Sequence, residues 1–274
     1  MLEVLLFSLA AAGGPDPRAV LAKVKEATGG PAWDRITSTH ATVILETGGF
    51  KGSAEAWEDV RTGRAVNTYA LGPMSGADGF DGKTVWSQDS SKQVRIEEGG
   101  DAREAAANEA YRSAMGYFFP ERWPAELEYS GEKAEGSRRF LVVRATPKGG
   151  RPYDMWIDAG ANHIDHIVEK GSIETRTTFY SDYREVDGVR VPFAQRSTNG
   201  EEKYDQRTEI TSVEFNVPVD DARFAPPAPP PPDFAIADGP STTVPFELLN
   251  NHIYGADLFC CRRRTTAGTK RSSS

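Results

Sequence analysis

Residues 174–197 read ETRTTFYSDYREVDGVRVPFAQRS, and this stretch decides the fold. Thr175, Thr177, Phe179, Ser181 and Tyr183 alternate with Arg176, Thr178, Tyr180, Asp182 and Arg184. A period of two, rich in threonine and aromatics, is the pattern of a strand with two unlike faces. Asp187-Gly188 supplies the positive φ angles that a two-residue hairpin turn needs. Val189, Val191 and Phe193 resume the apolar side, and Pro192 marks an edge position or the end of full pairing. The hairpin specifies architecture and carries no evident chemistry.

Working outward, Asp16-Pro17 opens a helix with Asp16 as N-cap and proline at the first helical position. Val20, Leu21, Val24 and Ala27 form its apolar stripe, and Gly29-Gly30 stop it. Strand patterns follow at 40–47 and 53–60, around a longer glycine loop at Gly48-Gly49 and Gly52. Further strand patterns lie at 64–71, 83–88 and 93–97, with a turn at Asp81-Gly82. The period then changes. Asp101-Ala-Arg-Glu104 has the form of a capping box, and 105–115 reads as an alanine-rich helix ended by Pro120. Strand patterns return at 127–130, 138–146, 153–158, 163–170 and 207–215, where Thr211, Val213 and Phe215 share a face. Roughly ten strands joined by tight turns, with two helices, predict a mainly β antiparallel meander.

The composition narrows the function. The chain has 274 residues and a net charge of -8, and five of its 32 basic residues lie beyond Tyr254 against one of its 40 acidic ones. The body is therefore acidic, which argues against nucleic acid as a partner. The two cysteines, Cys260 and Cys261, are adjacent and near the end, so residues 15–224 hold no disulfide and no thiolate metal site. Residues 1–14 read as a signal-peptide remnant, with an apolar run too short to span a bilayer and a small-residue Ala10-Ala11-Ala12 site, although Glu3 stands where a positive n-region is usual. Residues 15–224 form the β domain, 225–239 a proline-rich linker, 240–254 the first strand of a truncated second domain, and 255–274 a disordered tail.

Four segments together resemble the lipoprotein-carrier superfamily (LolA/LolB-like) of bacterial envelope proteins: GGPAWDRI (29–36), GFDGKTVW (79–86), YDMWIDAGANHIDHIV (153–168), and YSDYREVDGVRVPF (180–193) followed by NVPVDDARF (216–224). The resemblance implies an open, curved antiparallel half-barrel with helices at its mouth. It implies a lipophilic ligand, a lipid or lipoprotein acyl chain, inside that half-barrel, an envelope protein as partner, and a periplasmic or otherwise exported location. No residue set matches a carrier's hand-over surface. The run from the linker into TTVPFELLNNHIY (242–254) resembles the lead-in of bacterial retropepsin-like aspartic proteases, yet the chain contains no Asp-Thr-Gly or Asp-Ser-Gly. The alternative expectation is thus a non-catalytic accessory domain of such a protease, since that chemistry needs two carboxylates sharing a proton.

No catalytic constellation emerges, and the expectation is a protein that is not an enzyme and uses no cofactor or metal. His163 and His166 have opposite strand parity, and both read as surface residues. Asp220-Asp221 reads as a turn or cap pair. The glycines at 48–52 do not feed a helix, as a phosphate loop would, and no nucleophile elbow is present. The candidate ligand-binding residues are the aromatic and sulfur side chains Trp57, Tyr69, Trp86, Met155, Phe179 and Tyr183. They are chosen by strand parity against the simpler reading that they fill the core.

Overall fold

The computed structural model describes residues 14–228. The signal-like start, most of the linker, the strand at 240–254 and the tail lie outside the described residues. One antiparallel sheet of 13 strands organises the rest. In chain order the strands are β1 (Ser38–Thr47), β2 (Phe50–Asp59), β3 (Arg64–Leu71), β4 (Met74–Phe80), β5 (Val85–Gln88), β6 (Val94–Ile96), β7 (Ala125–Glu135), β8 (Arg138–Pro147), β9 (Tyr153–Asp158), β10 (Ile164–Lys170), β11 (Thr175–Val186), β12 (Val189–Thr198) and β13 (Gln206–Phe215). Their spatial order is β6-β5-β4-β3-β2-β1-β13-β12-β11-β10-β9-β8-β7. Two meanders therefore meet at the β1–β13 pair, and the sheet curves without closing, as an open half-barrel. Its free edges are a three-residue strand, β6, and the charge-rich β7, which blunts edge-to-edge pairing.

The turn chemistry explains much of this. Asp187 and Gly188 have φ of 51° and 82°, and Val186 pairs with Val189 across them. Gly48 and Gly49, at 56° and 80°, form a two-residue turn that joins Thr47 to Phe50. The connection is shorter than the glycine loop expected, because Gly52 lies inside β2. There its missing Cβ leaves room for the Ala70 carbonyl, which would sit 1.9 Å away. Strand β4, with the sequence MSGADGF, was not legible as a strand because its glycines hide the alternation. Pro192 lies just beyond the last β12–β13 pair, Ala194 with Glu209, so the loss of its N–H breaks no bond in that ladder.

Helix α1 (Pro17–Ala27) begins with Asp16 accepting the Arg18 N–H and buries Val20, Leu21 and Val24. A 3-10 segment at Gly30–Arg35 follows and buries Trp33. Helix α2 (Gly100–Ser113) starts earlier than expected, at an N-cap of Gly99 with no side-chain cap. Asp101 therefore lies within its first turn, and the expected capping box does not form. Residues 221–224, another 3-10 segment, lie across the outer face, with Asp220 accepting the Ala222 N–H. That is cap duty, as expected of the Asp220-Asp221 pair.

The main core lies where α1 covers β8–β10. Val20, Leu21, Val24 and Tyr111 pack on Val143, Ala145, Tyr153, Met155, Ile157, Ile164 and Ile167. A second core, around Trp33, Ile36, Val189, Val191 and Phe193, fills the space beneath the 3-10 segment. Two smaller clusters form the outer face of β3–β5 with Phe224, and the contact of Val85 with Ala106.

Candidate functional site

A cavity of about 280 Å³ lies between the inner face of the sheet and the helical elements at its mouth. Its floor comes from alternate residues of three strands. Thr39, Ala41, Val43 and Leu45 of β1 lie beside Ala54, Ala56 and Glu58 of β2, and beside Thr208, Ile210, Val213 and Phe215 of β13. The alanines keep the space open, since each takes an inner position that a larger apolar side chain would fill. A bulge between Thr42 and Val43 lets β13 place both Ile210 and Val213 inward, with Thr211 turned out to bond the Thr42 carbonyl at 3.0 Å. Tyr117, Phe118 and Met115 form part of the roof, with Trp33 tilted against Phe118 at 5.6 Å. Met115 takes a left-handed φ of 49° and ends α2 abruptly, and this drops Tyr117 and Phe118 over the mouth.

The wall beneath α2 is polar. Glu58, Asn67, Asp78, Glu109, Arg112 and Ser113 all line the cavity there. Cross-strand register sets the row Ala56–Asn67–Asp78 on the inner face. Asn67 donates to Asp78 Oδ2 at 3.0 Å. Ser113 Oγ lies 2.9 Å from Glu58 Oε1 and 3.3 Å from Glu109 Oε1. A single hydroxyl proton serves one of these carboxyls at a time. Arg112 bonds Glu109 and Glu169, both at 2.8 Å. Glu169 also accepts from Asn108 at 2.9 Å and lies 3.3 Å from the Arg151 guanidinium. Burial, with the Glu109 charge adding to it, pushes the Glu58 carboxyl up to about 7. Burial likewise raises Asp78 to about 7, against the Asn67 hydrogen bond and with a further push from Glu109.

The structure divides the sequence-selected residues between three places. Tyr69 and Tyr183 line the cavity. The Tyr183 hydroxyl donates to the Ile164 carbonyl at 2.6 Å, and the ring packs on His163. Met155 is on the inner face but fully buried in the core beside α1. Trp57, Trp86 and Phe179 face outward. Trp57 stacks on His40 at 3.8 Å. Trp86 covers Gly79, where an added Cβ would meet its ring at 2.6 Å, and its indole donates to the Phe224 carbonyl at 2.8 Å. Phe179 packs on His166 at 5.1 Å.

Strand parity grouped Phe179 with Tyr183, and the structure separates them. Asp182, between them, has φ of 54° and breaks the regular alternation, so Thr178, Tyr180 and Tyr183 all reach the cavity. His166 is a second correction. It is 4% exposed, enclosed by Phe140, Trp156 and Phe179, rather than a surface residue. A bulge at Asp165 turns its ring outward while Ile164 and Ile167 face in. Among the described residues, no three His, Cys, Asp or Glu side chains converge to hold a metal ion.

Sequence reasoning missed the carboxyl wall. Its signal was an acid that continues a row of small residues along one strand face, as in Ala54, Ala56 and Glu58, together with Asp78 set beside Gly76 and Gly79.

Two solved structures share this architecture. A LolA superfamily protein from Nitrosomonas europaea superposes with a TM-score of 0.52 at 9% identity, covering 77% of this chain and 98% of its own. A DUF1329 family protein from Desulfovibrio piger superposes with a TM-score of 0.51 at 13% identity, over the same shares of the two chains. The fold is LolA-like. No family model matches the sequence, and no curated protein matches it. On the LolA-like scaffold, the cavity occupies the mouth of the half-barrel. No helix among the described residues is long and apolar enough to cross a membrane.

Proposed function

We propose that this chain is an exported envelope domain that holds a lipophilic ligand, a lipid or a lipoprotein acyl chain, in the cavity of its half-barrel. The observation that carries the reading is the open space itself. An inner sheet face with apolar residues and alanines at its centre surrounds about 280 Å³ that no side chain of the described residues fills. A concave, mostly apolar space with a few placed polar groups is the common form of a small-molecule site. Tyr69 and Tyr183 are the sequence-selected residues in a position to touch the ligand. Residues 15–224 are the binding domain in this reading, followed by the linker and the start of a second unit. An envelope protein is its partner for ligand exchange. No chemical step is assigned, and the domain acts by binding.

Native mass spectrometry of the purified chain, followed by organic extraction, tests this. Co-purified lipid, or uptake of added lipid by the stripped protein, supports the proposal. A clean apo mass that also fails to take up lipid or a hydrophobic dye overturns it. The likeness of residues 242–254 to the retropepsin lead-in favours a second reading, that of an accessory domain. A downstream reading frame encoding Asp-Thr-Gly supports it, and the absence of such a frame in the genomic DNA counts against it.

A further inference from the structure

The polar wall of the cavity bears on which end of an amphiphile it receives. The inference rests on the cavity reading above. Three carboxyls line the space beneath α2: Glu58, Asp78 and Glu109. The cations lining it are Arg112 and Arg190. Arg112 already binds Glu109 and Glu169. Arg190 is an exposed residue of β12, and β1 and β13 separate that strand from β2–β4. Among the described residues, Glu58 and Asp78 therefore have neutral hydrogen-bond partners, Ser113 and Asn67. Asp78 is 1% exposed, and the Asn67 amide engages its Oδ2. A buried charge is costly unless paired.

We propose that the cavity takes a cationic amphiphile, its apolar chain over the alanine floor and its ammonium head between Glu58 and Asp78. An ammonium has three donors and no acceptor, which suits two carboxyls whose partners are neutral. Cross-strand register sets the two acids on one sheet face with β3 between them: Glu58 pairs with Ala65, two residues from Asn67, and Asn67 pairs with Asp78. The Glu109 charge acts on both, and all three carboxyls line the same cavity. The C-terminal turn of α2, at Arg112 and Ser113, points its partial negative charge the same way. A carboxylate or phosphate head would meet three acids and one committed guanidinium.

The test uses the full chain, stripped of bound lipid and loaded with a hydrophobic naphthylamine dye at pH above 7. Dodecylammonium and dodecanoate are titrated in to displace the dye. The expected result is displacement by dodecylammonium at a concentration at least about tenfold lower than by dodecanoate. In the Glu58→Gln/Asp78→Asn variant the two agree to within about threefold. The variant also guards against a general attraction of amines to an acidic protein, because it leaves most of the acidic surface in place. Equal displacement in the wild type, or a preference that survives in the variant, overturns the head-group assignment and leaves the cavity reading standing. Failure of the wild type to take up the dye removes both.

Discussion

The inner face of this sheet has two halves with opposite solutions to the same problem. Over β8–β10, helix α1 and Tyr111 press directly on Tyr153, Met155 and Ile157, and these three are 2% exposed or less. Over β1, β2 and β13 the corresponding positions hold Ala41, Ala54 and Ala56, and a cavity remains. Strand geometry is alike in both halves, so side-chain volume and helix placement make the difference. The packed half fixes the lid against the scaffold, which allows the other half to stay hollow. Close-packed interiors tolerate few voids, so a large one beside a well-filled core marks a part of the molecule under a different demand.

The largest expected effect comes from emptying the full half. Met155→Ala should cost about 2–5 kcal/mol, because a fully buried thioether leaves a void among rigid neighbours. Urea denaturation measures it, and a loss below about 1 kcal/mol would mean that the two halves are equally loose. The next effect concerns protons. Glu58 and Asp78 have folded-state values of about 7 against ordinary values of 4.5 and 3.8. The folded protein then holds these protons more tightly than the unfolded chain. The stability they contribute is fully present below about pH 4 and is lost as pH rises to about 7. The upper limit is roughly 3 kcal/mol for Glu58 and roughly 4 kcal/mol for Asp78. Thermal melts of the apo protein at several pH values should show a flatter decline for Glu58→Gln/Asp78→Asn than for the wild type. Identical slopes would refute the burial of these acids in the hollow half.

The smallest stability effect comes from filling the hollow half. Ala56→Leu adds volume where space already exists, so stability should change by less than about 1.5 kcal/mol, against the 1–3 kcal/mol typical of overpacking a full core. Dye uptake should nevertheless fall sharply. Unchanged uptake would place the ligand elsewhere.

How far the sequence reveals this depends on how local the determining physics is. The hairpin at Asp187-Gly188 and the start of α1 at Asp16-Pro17 were legible because a turn and a cap are decided by adjacent residues. The distinction between inner and outer faces was not. Aromatic residues stand on both faces here, so Trp57, Trp86 and Phe179 looked as suited to a cavity as Tyr69 and Tyr183. Register decides between them: Trp57, Val66, Gly79 and Trp86 form one row across four strands, opposite the side that carries Asn67 and Asp78. The irregularities at Asp165, Asp182 and Thr211 shift parity within a strand, and the one at Thr211 is held by Thr42, a neighbour distant in sequence. The cavity was also hidden because its chief signature is small side chains, which draw no attention in a sequence.

The attachment of Phe224 has a mechanical consequence. Its ring is 1% exposed in a cluster with Trp86 and Val66, and its carbonyl is held by the Trp86 indole. Arg64 lies over the same ring and bonds Asp221. Tension applied to the chain after residue 228 therefore reaches this plug before it reaches β13. The plug bears the load on the face opposite the cavity. A pull on the tail is spent on peeling residues 216–224 from the outer surface, and the hollow half keeps its shape until that segment has come away.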